Sequence, residues 1–136
     1  MAAAHLTGVG GGATISFFYY ENVGAAIHWY RDALGLEAVL VEDWLGLFRV
    51  SGQHLIGLVD STSGSQRHVP GPNKGAMLSI EVADLEGLFD QLKAREVAEP
   101  DATLMTGCHG RTREFRVRDP GGYLVEFFHW IDPPTA

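Results

Sequence analysis

A pattern of apolar and polar positions occurs twice along the chain, 62 residues apart. Residues 15–20 form a short apolar and aromatic run that predicts a strand, and Asn22 then predicts the cap of a helix. Adding 62 gives residues 77–82 as a second strand and Asp84 as the second cap. The apolar residues of the helices recur at helical spacing, as Val23, Ala26, Ile27, Tyr30 and Leu34 in the first and Leu85, Leu88, Phe89 and Leu92 in the second. The repeat therefore predicts one helix packed against a sheet in each half, and Gly35 is predicted to end the first helix.

The later parts of the two halves also correspond. Phe48-Arg-Val50 is matched by Phe115-Arg-Val117, and each leads through a turn into another strand. One turn is residues 51–54 and the other is the Asp-Pro-Gly-Gly sequence of residues 119–122. Each half is thus predicted to contain one strand, one helix and about three further strands. The predicted fold class is α+β, with two tandem β-α-β-β-β modules.

A length of 136 residues fits one domain, and a composition with 46% hydrophobic and 20% charged residues is typical of a folded globular protein. We expect residues 1–12, rich in Ala and Gly, to be a flexible N-terminal arm and residues 13–136 to be a single domain. Within that domain we expect module one at 13–60, a connector at 61–75, module two at 76–130 and a tail at 131–136. The connector is predicted from its Ser, Gly and Pro content.

The charge balance excludes several classes of partner. Ten Lys and Arg residues against seventeen Asp and Glu residues give a net charge of −7, which repels phosphate backbones and anionic lipid headgroups. We therefore expect neither a nucleic acid nor a membrane as partner. Cys108 is the one cysteine and makes no internal disulfide, and no stretch approaches the ~18 apolar residues of a membrane span. A cytoplasmic location is the expectation.

Two longer motifs mark the ends of the predicted elements. Trp29-Tyr-Arg-Asp-Ala-Leu-Gly-Leu36 ends the first helix, and Asp119-Pro-Gly-Gly-Tyr-Leu-Val-Glu-Phe127 closes the second module. With the tandem modules, these motifs resemble the vicinal oxygen chelate superfamily, which includes glyoxalase I, extradiol dioxygenases, fosfomycin-resistance enzymes and bleomycin-binding proteins. The resemblance implies the glyoxalase/bleomycin-resistance fold, in which the modules form a curled mixed sheet around a cavity. It also implies a homodimer, because members of the superfamily commonly dimerise.

The resemblance also locates a metal site. Metal-dependent members place His, Gln or Glu near the start of the first strand and on the last strand of each module. These four places align with Ile15, Gly57, Met77 and Glu126. An alkyl group, a hydrogen atom and a thioether do not replace the oxygen and nitrogen donors of such a site. We therefore expect no metal cofactor, and if a metal is present, Glu126 is its candidate ligand.

Strand alternation predicts which side chains face the cavity. If Phe18 and Tyr20 pack under the first helix, their neighbours Phe17 and Tyr19 face the other way. The same rule places the following residues on the inner face: Ile15, Leu55, Gly57, Val59, Met77, Ser79, Glu81, Leu124, Glu126, Phe128, Arg49 and Arg116. From these residues, with Trp44 and Trp130 at the edges, we take as candidate ligand-binding residues Phe17, Tyr19, Trp44, Arg49, Glu81, Arg116, Glu126 and Phe128.

A carboxylate in such a cavity needs a partner, and Arg116 is predicted to pair with Glu126 across a hairpin. The pair either supports the sheet or contacts a ligand. Cys108 and His109 are adjacent in sequence, and neighbours on an extended chain point to opposite sides, so we expect a loop cysteine and an exposed histidine rather than a catalytic pair.

Two functions remain open, with a third in reserve. The first is a metal-free protein that binds a small aromatic or amphipathic molecule, as the resemblance to the bleomycin-resistance branch implies. The alternative is a metal-dependent lyase or dioxygenase of the glyoxalase I or extradiol dioxygenase type, with an atypical metal site that combines Glu126 with Glu81 or His68. The third is a structural or interaction protein whose own side chains fill the cavity. Whether the chain is an enzyme therefore stays undecided from the sequence.

Overall fold

The computed structural model describes residues 7–135, and the chain divides into two compact units between His68 and Val69. Each unit has one strand, one helix and three further strands, which confirms the α+β class and the two β-α-β-β-β modules. Residues 1–6 of the predicted arm lie outside the described residues. Residues 7–12 form exposed turns, in which the Gly11 N–H donates to the Gly8 carbonyl at 3.3 Å.

The first unit contains a four-stranded mixed sheet and one helix. Its elements are β1 (Thr14–Tyr20), α1 (Val23–His28), β2 (Glu37–Glu42), β3 (Leu45–Ser51) and β4 (His54–Asp60). The strand order is β1-β4-β3-β2, with β1 parallel to β4 and the other pairs antiparallel. Two-residue connections join β2 to β3 and β3 to β4, as antiparallel neighbours allow.

The first helix begins as predicted but ends differently. The Asn22 side chain accepts a hydrogen bond from the Ala25 N–H at 3.1 Å, so Asn22 is the N-cap. After His28 the helix widens into a π-helical turn, Trp29–Ala33, in which the Leu34 N–H donates to the Trp29 carbonyl at 3.1 Å. Leu34, which caps this turn, is half-buried, whereas Val23, Ala26, Ile27 and Tyr30 of the same predicted stripe are buried. Gly35 follows with φ +70°, the left-handed conformation that suits glycine.

The second unit repeats the arrangement. Its elements are β5 (Met77–Glu81), α2 (Leu85–Ala94), β6 (Met105–Gly107), β7 (Thr112–Arg118) and β8 (Leu124–Trp130), with strand order β5-β8-β7-β6. The Asp84 side chain accepts from the Gly87 N–H at 3.0 Å and caps α2, as predicted. The turn between β7 and β8 is held by Asp119, whose Oδ1 accepts from the N–H groups of Gly121 and Tyr123, each at 2.9 Å.

One face of each sheet packs on its own helix. In the first unit this face contains Phe18, Tyr20, Phe48, Ile56 and Leu58, all buried. In the second unit Phe115 contacts Phe89 of α2, with ring centroids 5.0 Å apart. The strand registers place the predicted inner residues on the opposite faces, because Phe17 pairs with Gly57 and Glu126 pairs with both Ser79 and Arg116. The predicted alternation is therefore confirmed within each unit.

Within residues 7–135, no helix is long and apolar enough to cross a membrane.

Candidate ligand-binding site

The face of the first sheet opposite α1 carries a largely apolar recess of about 350 Å³. It is lined by Phe17, Tyr19, Trp44, Leu45, Leu47, Val59, Ser63, Gly64 and Ser65. We call this the first recess. Phe17 is 46% exposed and Trp44 is 45% exposed, so two aromatic rings present part of their surface to solvent. Such a surface suits a flat or apolar ligand.

Phe17 lies directly over the backbone of Gly57. A Cβ atom built at Gly57 would lie 2.5 Å and 2.6 Å from two carbons of the Phe17 ring and 3.2 Å from a methyl group of Leu47. A side chain at position 57 and the observed position of the ring therefore exclude each other. The absence of a side chain at Gly57 lets the Phe17 ring lie against the sheet, where it forms part of the base of the first recess.

The loop after β4 covers one end of the first recess. A Cβ atom at Gly64 would lie 2.7 Å from both the Tyr19 ring and the Val59 side chain, so the loop backbone passes close over these residues. The Asp60 carboxylate accepts hydrogen bonds from Thr62 Oγ1 and from Ser63 Oγ, the latter at 3.3 Å. The bond from Thr62 has the largest effect on the pKa of Asp60; together with the bond from Ser63 and backbone N–H groups it outweighs desolvation, which raises the pKa, and holds the pKa below the ordinary value of 3.8. The ionised carboxylate thus fixes the loop.

The face of the second sheet opposite α2 carries a smaller recess of about 220 Å³. It is lined by Ser79, Cys108, Thr112, Glu114, Arg116, Glu126, Phe128 and Trp130. We call this the second recess. Phe128 and Trp130 are two residues apart on β8 and share one face, and their rings meet edge to face with centroids 5.3 Å apart. This recess therefore combines an aromatic wall with a group of charged side chains.

The charged side chains of the second recess form one continuous network. Arg116 Nε donates to Glu126 at 3.2 Å, and Arg116 Nη2 donates to Glu114 at 2.9 Å. Ser79 Oγ donates to Glu126 at 2.7 Å, and Thr112 Oγ1 donates to Glu114 at 3.0 Å. Partial burial of the guanidinium lowers the pKa of Arg116, but the bonds to the two carboxylates outweigh burial and raise it above its ordinary value. The predicted pair of Arg116 and Glu126 is present, and Glu114 extends it.

The structure divides the predicted ligand-binding residues between the two units. Phe17, Tyr19 and Trp44 line the first recess. Arg116, Glu126 and Phe128 line the second. The other two candidates line neither recess: Arg49 Nε donates to Glu37 at 3.1 Å, and Glu81 is exposed at the end of β5. Contact between a ligand and any of these eight residues stays a prediction.

The donor atoms at the family's metal positions do not fit a divalent ion. Ile15, Gly57 and Met77 supply no oxygen or nitrogen donor from their side chains, and both oxygens of Glu126 are engaged by Ser79 and Arg116. His68, proposed above as a displaced ligand, instead contacts Glu21 at 3.1 Å. In the described part of the chain, no three His, Cys, Asp or Glu side chains come together as a metal-binding group. The absence of a metal cofactor remains a prediction, which the donor set supports.

Some residues of the recesses were not identified from the sequence. Glu114 was missed, although it lies two residues before Arg116 on β7 and strand alternation places both on the inner face. The loop of residues 63–65 was interpreted only as a connector. Cys108 and His109 are exposed as expected, but the argument from an extended chain is wrong: both have positive φ, 50° and 52°, in a 3₁₀ turn. That turn brings Cys108 to the wall of the second recess.

Comparison with known proteins adds a family and a set of similar folds. The model of the Glyoxalase/Bleomycin resistance protein/Dioxygenase superfamily matches residues 5–127. No curated protein sequence matches significantly. A glyoxalase/bleomycin resistance protein/dioxygenase from Nocardioides is 16% identical, with a TM-score of 0.73 over 99% of this chain and 92% of that one.

Two further solved structures have different names but similar folds. The lactoylglutathione lyase from Agrobacterium tumefaciens is 23% identical, with a TM-score of 0.60 over 87% of this chain and 92% of that one. The bleomycin-binding protein from Streptomyces verticillus, solved with copper(II)-bleomycin, is 21% identical, with a TM-score of 0.61 over 85% of this chain and 93% of that one. At these identities the likeness concerns the fold alone.

Proposed function

We propose that this chain, which belongs to the Glyoxalase/Bleomycin resistance protein/Dioxygenase superfamily, binds a small aromatic or amphipathic molecule in the first recess without a metal ion. The observation that carries the proposal is the contact of Phe17 with Gly57. The ring lies where a side chain at position 57 would stand, and that position is one of the four that align with the family's metal ligands. One substitution thus removes a ligand position and makes room for an aromatic surface.

The surroundings of Phe17 support a planar ligand. Trp44 and Tyr19 add aromatic surface beside it, and Leu45, Leu47 and Val59 supply aliphatic contacts. A ring that stacks on aromatic side chains gains about 0.5–1.5 kcal/mol beyond the burial of its area. The hydroxyl groups of Ser63 and Ser65 lie at the rim and suit a polar end of the ligand. This arrangement favours binding of an aromatic or amphipathic molecule.

The fold alone does not choose between binding and catalysis. The similar structures include a lyase and a bleomycin-binding protein. We favour binding because the donor set at the family positions is lost and because the first recess holds no carboxylate or imidazole among its lining side chains. The first recess therefore lacks the carboxylate or imidazole that most often serves as a general acid or base.

Titration with acridine, a planar molecule that is neutral at pH 7.5, tests the proposal. Acridine is expected to quench tryptophan fluorescence saturably. The quenching should be lost in Trp44→Phe, which keeps an aromatic ring but removes the fluorophore. Trp130→Phe is the matched control and should keep it, because Trp130 lies in the other recess. Linear, unsaturable quenching, or quenching that survives in Trp44→Phe and disappears in Trp130→Phe, contradicts binding in the first recess.

Calorimetry of a second pair of variants tests the role of Phe17. Phe17→Ala removes the exposed ring, and acridine affinity is expected to fall by about tenfold, the equivalent of about 1.4 kcal/mol. Ile131→Ala is the control, since Ile131 is 56% exposed and lies outside both recesses. Equal affinities for the two variants would show that Phe17 does not contact the ligand.

A further inference from the structure

Arg116 is the charged side chain that the second recess presents most to solvent. Its side chain is 41% exposed, whereas those of Glu114 and Glu126 are 4% and 13% exposed. Nε and Nη2 are held by the two carboxylates, and within residues 7–135 Nη1 has no hydrogen-bond partner. Because two bonds already fix the guanidinium plane, little side-chain freedom is lost when a ligand accepts a hydrogen bond from Nη1.

The net charge of this network disfavours anionic ligands, and its exposed N–H donors disfavour cationic ones. One guanidinium against two carboxylates leaves one net negative charge, on a chain whose total is −7. An anion would therefore meet an unfavourable field even though Arg116 faces it. The same field attracts a cation, but the guanidinium is more exposed than the two carboxylates, so the N–H donors of a cation would meet the donors of Arg116 first. A neutral oxygen acceptor meets neither obstacle.

The remaining wall of the second recess is aromatic. Phe128 and Trp130 are both partly exposed, and they stand in an edge-to-face pair on the same face of β8 as Glu126. Phe128, Trp130 and Arg116 line the same recess. A ligand whose aromatic ring packs on Phe128 and Trp130 therefore has its polar substituent in the recess that Arg116 lines. The Glu114 carboxylate that accepts from Arg116 lies against the backbone of Gly107. A Cβ atom at position 107 would clash with that carboxyl group. Gly107 therefore permits the network to form.

We infer that the second recess binds a neutral aromatic molecule whose carbonyl oxygen, as in an amide or a ketone, accepts a hydrogen bond from Arg116. The ring packs against Phe128 and Trp130. The inference does not depend on the function proposed for the first recess, because it concerns different residues and a different ligand chemistry.

Three naphthalene derivatives with the same ring and different charges test the inference. They are 2-naphthamide, 2-naphthoate and 2-naphthylmethylammonium. Cys108 is the one cysteine, is exposed and lines the second recess, so its rate of alkylation by N-ethylmaleimide reports occupancy. We expect 2-naphthamide to slow alkylation and to half-saturate at a concentration about tenfold lower than either ion, since each ion meets an uncompensated charge or donor.

Glu126→Gln tests the electrostatic part of the inference. The amide has nearly the same shape, so its oxygen still accepts from Arg116 and its NH₂ group donates to Ser79. The network loses its net negative charge, and the affinity for 2-naphthoate is expected to rise about fivefold, while that for 2-naphthamide changes less than about twofold. Glu86→Gln is the matched control, because it removes the same charge from an exposed position on α2. It should leave both affinities unchanged.

Three results would overturn the inference. The first is no protection of Cys108 by 2-naphthamide at any soluble concentration. The second is protection by 2-naphthoate or by the ammonium compound that equals or exceeds that of the amide. The third is an equal gain in 2-naphthoate affinity for Glu126→Gln and Glu86→Gln. Acridine titration of the first recess, followed through Trp44, is a separate readout, so failure at one recess is distinguishable from failure at the other.

Discussion

Replacing Gly57 by alanine tests the contact on which the proposed function rests. The new Cβ atom would lie 2.5 Å and 2.6 Å from carbons of the Phe17 ring, well inside van der Waals contact. Overpacking of this kind costs about 1–3 kcal/mol in a closed core. Phe17 is 46% exposed, so its ring has room to swing outwards, and the lower chain entropy of alanine offsets about 0.5–1 kcal/mol. We therefore expect a loss of stability of about 0.5–2 kcal/mol.

The displaced ring no longer lies against the sheet, so the first recess loses part of its base. Acridine affinity is expected to fall about tenfold in Gly57→Ala, as it does in Phe17→Ala. A double-mutant cycle isolates the contact: in the Phe17→Ala background, Gly57→Ala should change acridine affinity by less than about twofold. Urea unfolding gives the free energies, and calorimetry gives the affinities. Full additivity of the two substitutions would refute the argument, because it would mean that position 57 acts independently of the ring.

Three further predictions concern the turns and loops that hold the two recesses. Asp119→Ala leaves two backbone N–H groups of the turn without their acceptor and should lower the free energy of unfolding by about 2–3 kcal/mol in urea, whereas Asp119→Asn should cost less because its amide oxygen still accepts. Gly107→Ala should displace the Glu114 carboxylate and speed the alkylation of Cys108 by N-ethylmaleimide. An unchanged rate would contradict the close approach of Glu114 to Gly107. Because Thr62 holds the pKa of Asp60 below 3.8, the unfolded chain binds this proton first as the pH falls, so the stabilisation is present above about pH 4 and lost below it. The melting temperatures of the protein and of Asp60→Asn should therefore differ above that pH and converge below it, and a constant difference would contradict the assignment.

Much of the fold could be predicted because the repeated pattern carries it. The helix caps at Asn22 and Asp84 and the turn at residues 119–122 are local signals, and each appears where it was predicted. Strand alternation placed Arg116 and Glu126 on one face, and their ion pair followed from that. The caps and the turn depend on residues close in sequence, and the ion pair depends on the two-residue repeat of a strand.

The features that the sequence did not predict depend on packing contacts, which the spacing of apolar and polar residues does not reveal. The sequence identified Gly57 as a lost ligand position, but only the strand register brings Phe17 over it. The approach of Gly64 to Tyr19 likewise depends on the path of a loop that composition alone marked as a connector. The π-helical turn Trp29–Ala33 adds one residue to the end of the first helix, which a pattern at helical spacing does not reveal. Packing contacts of this kind form the walls of both recesses.

The central claim is that an aromatic molecule binds in the first recess without a metal ion. The direct measurement is calorimetric titration of acridine into protein treated with EDTA, and into the same protein incubated with Zn, Mn, Fe or Ni, with metal content determined by elemental mass spectrometry. We predict the same dissociation constant in every sample and no stoichiometric metal. Stoichiometric metal whose removal abolishes acridine binding would contradict the account and would favour the lyase or dioxygenase alternative.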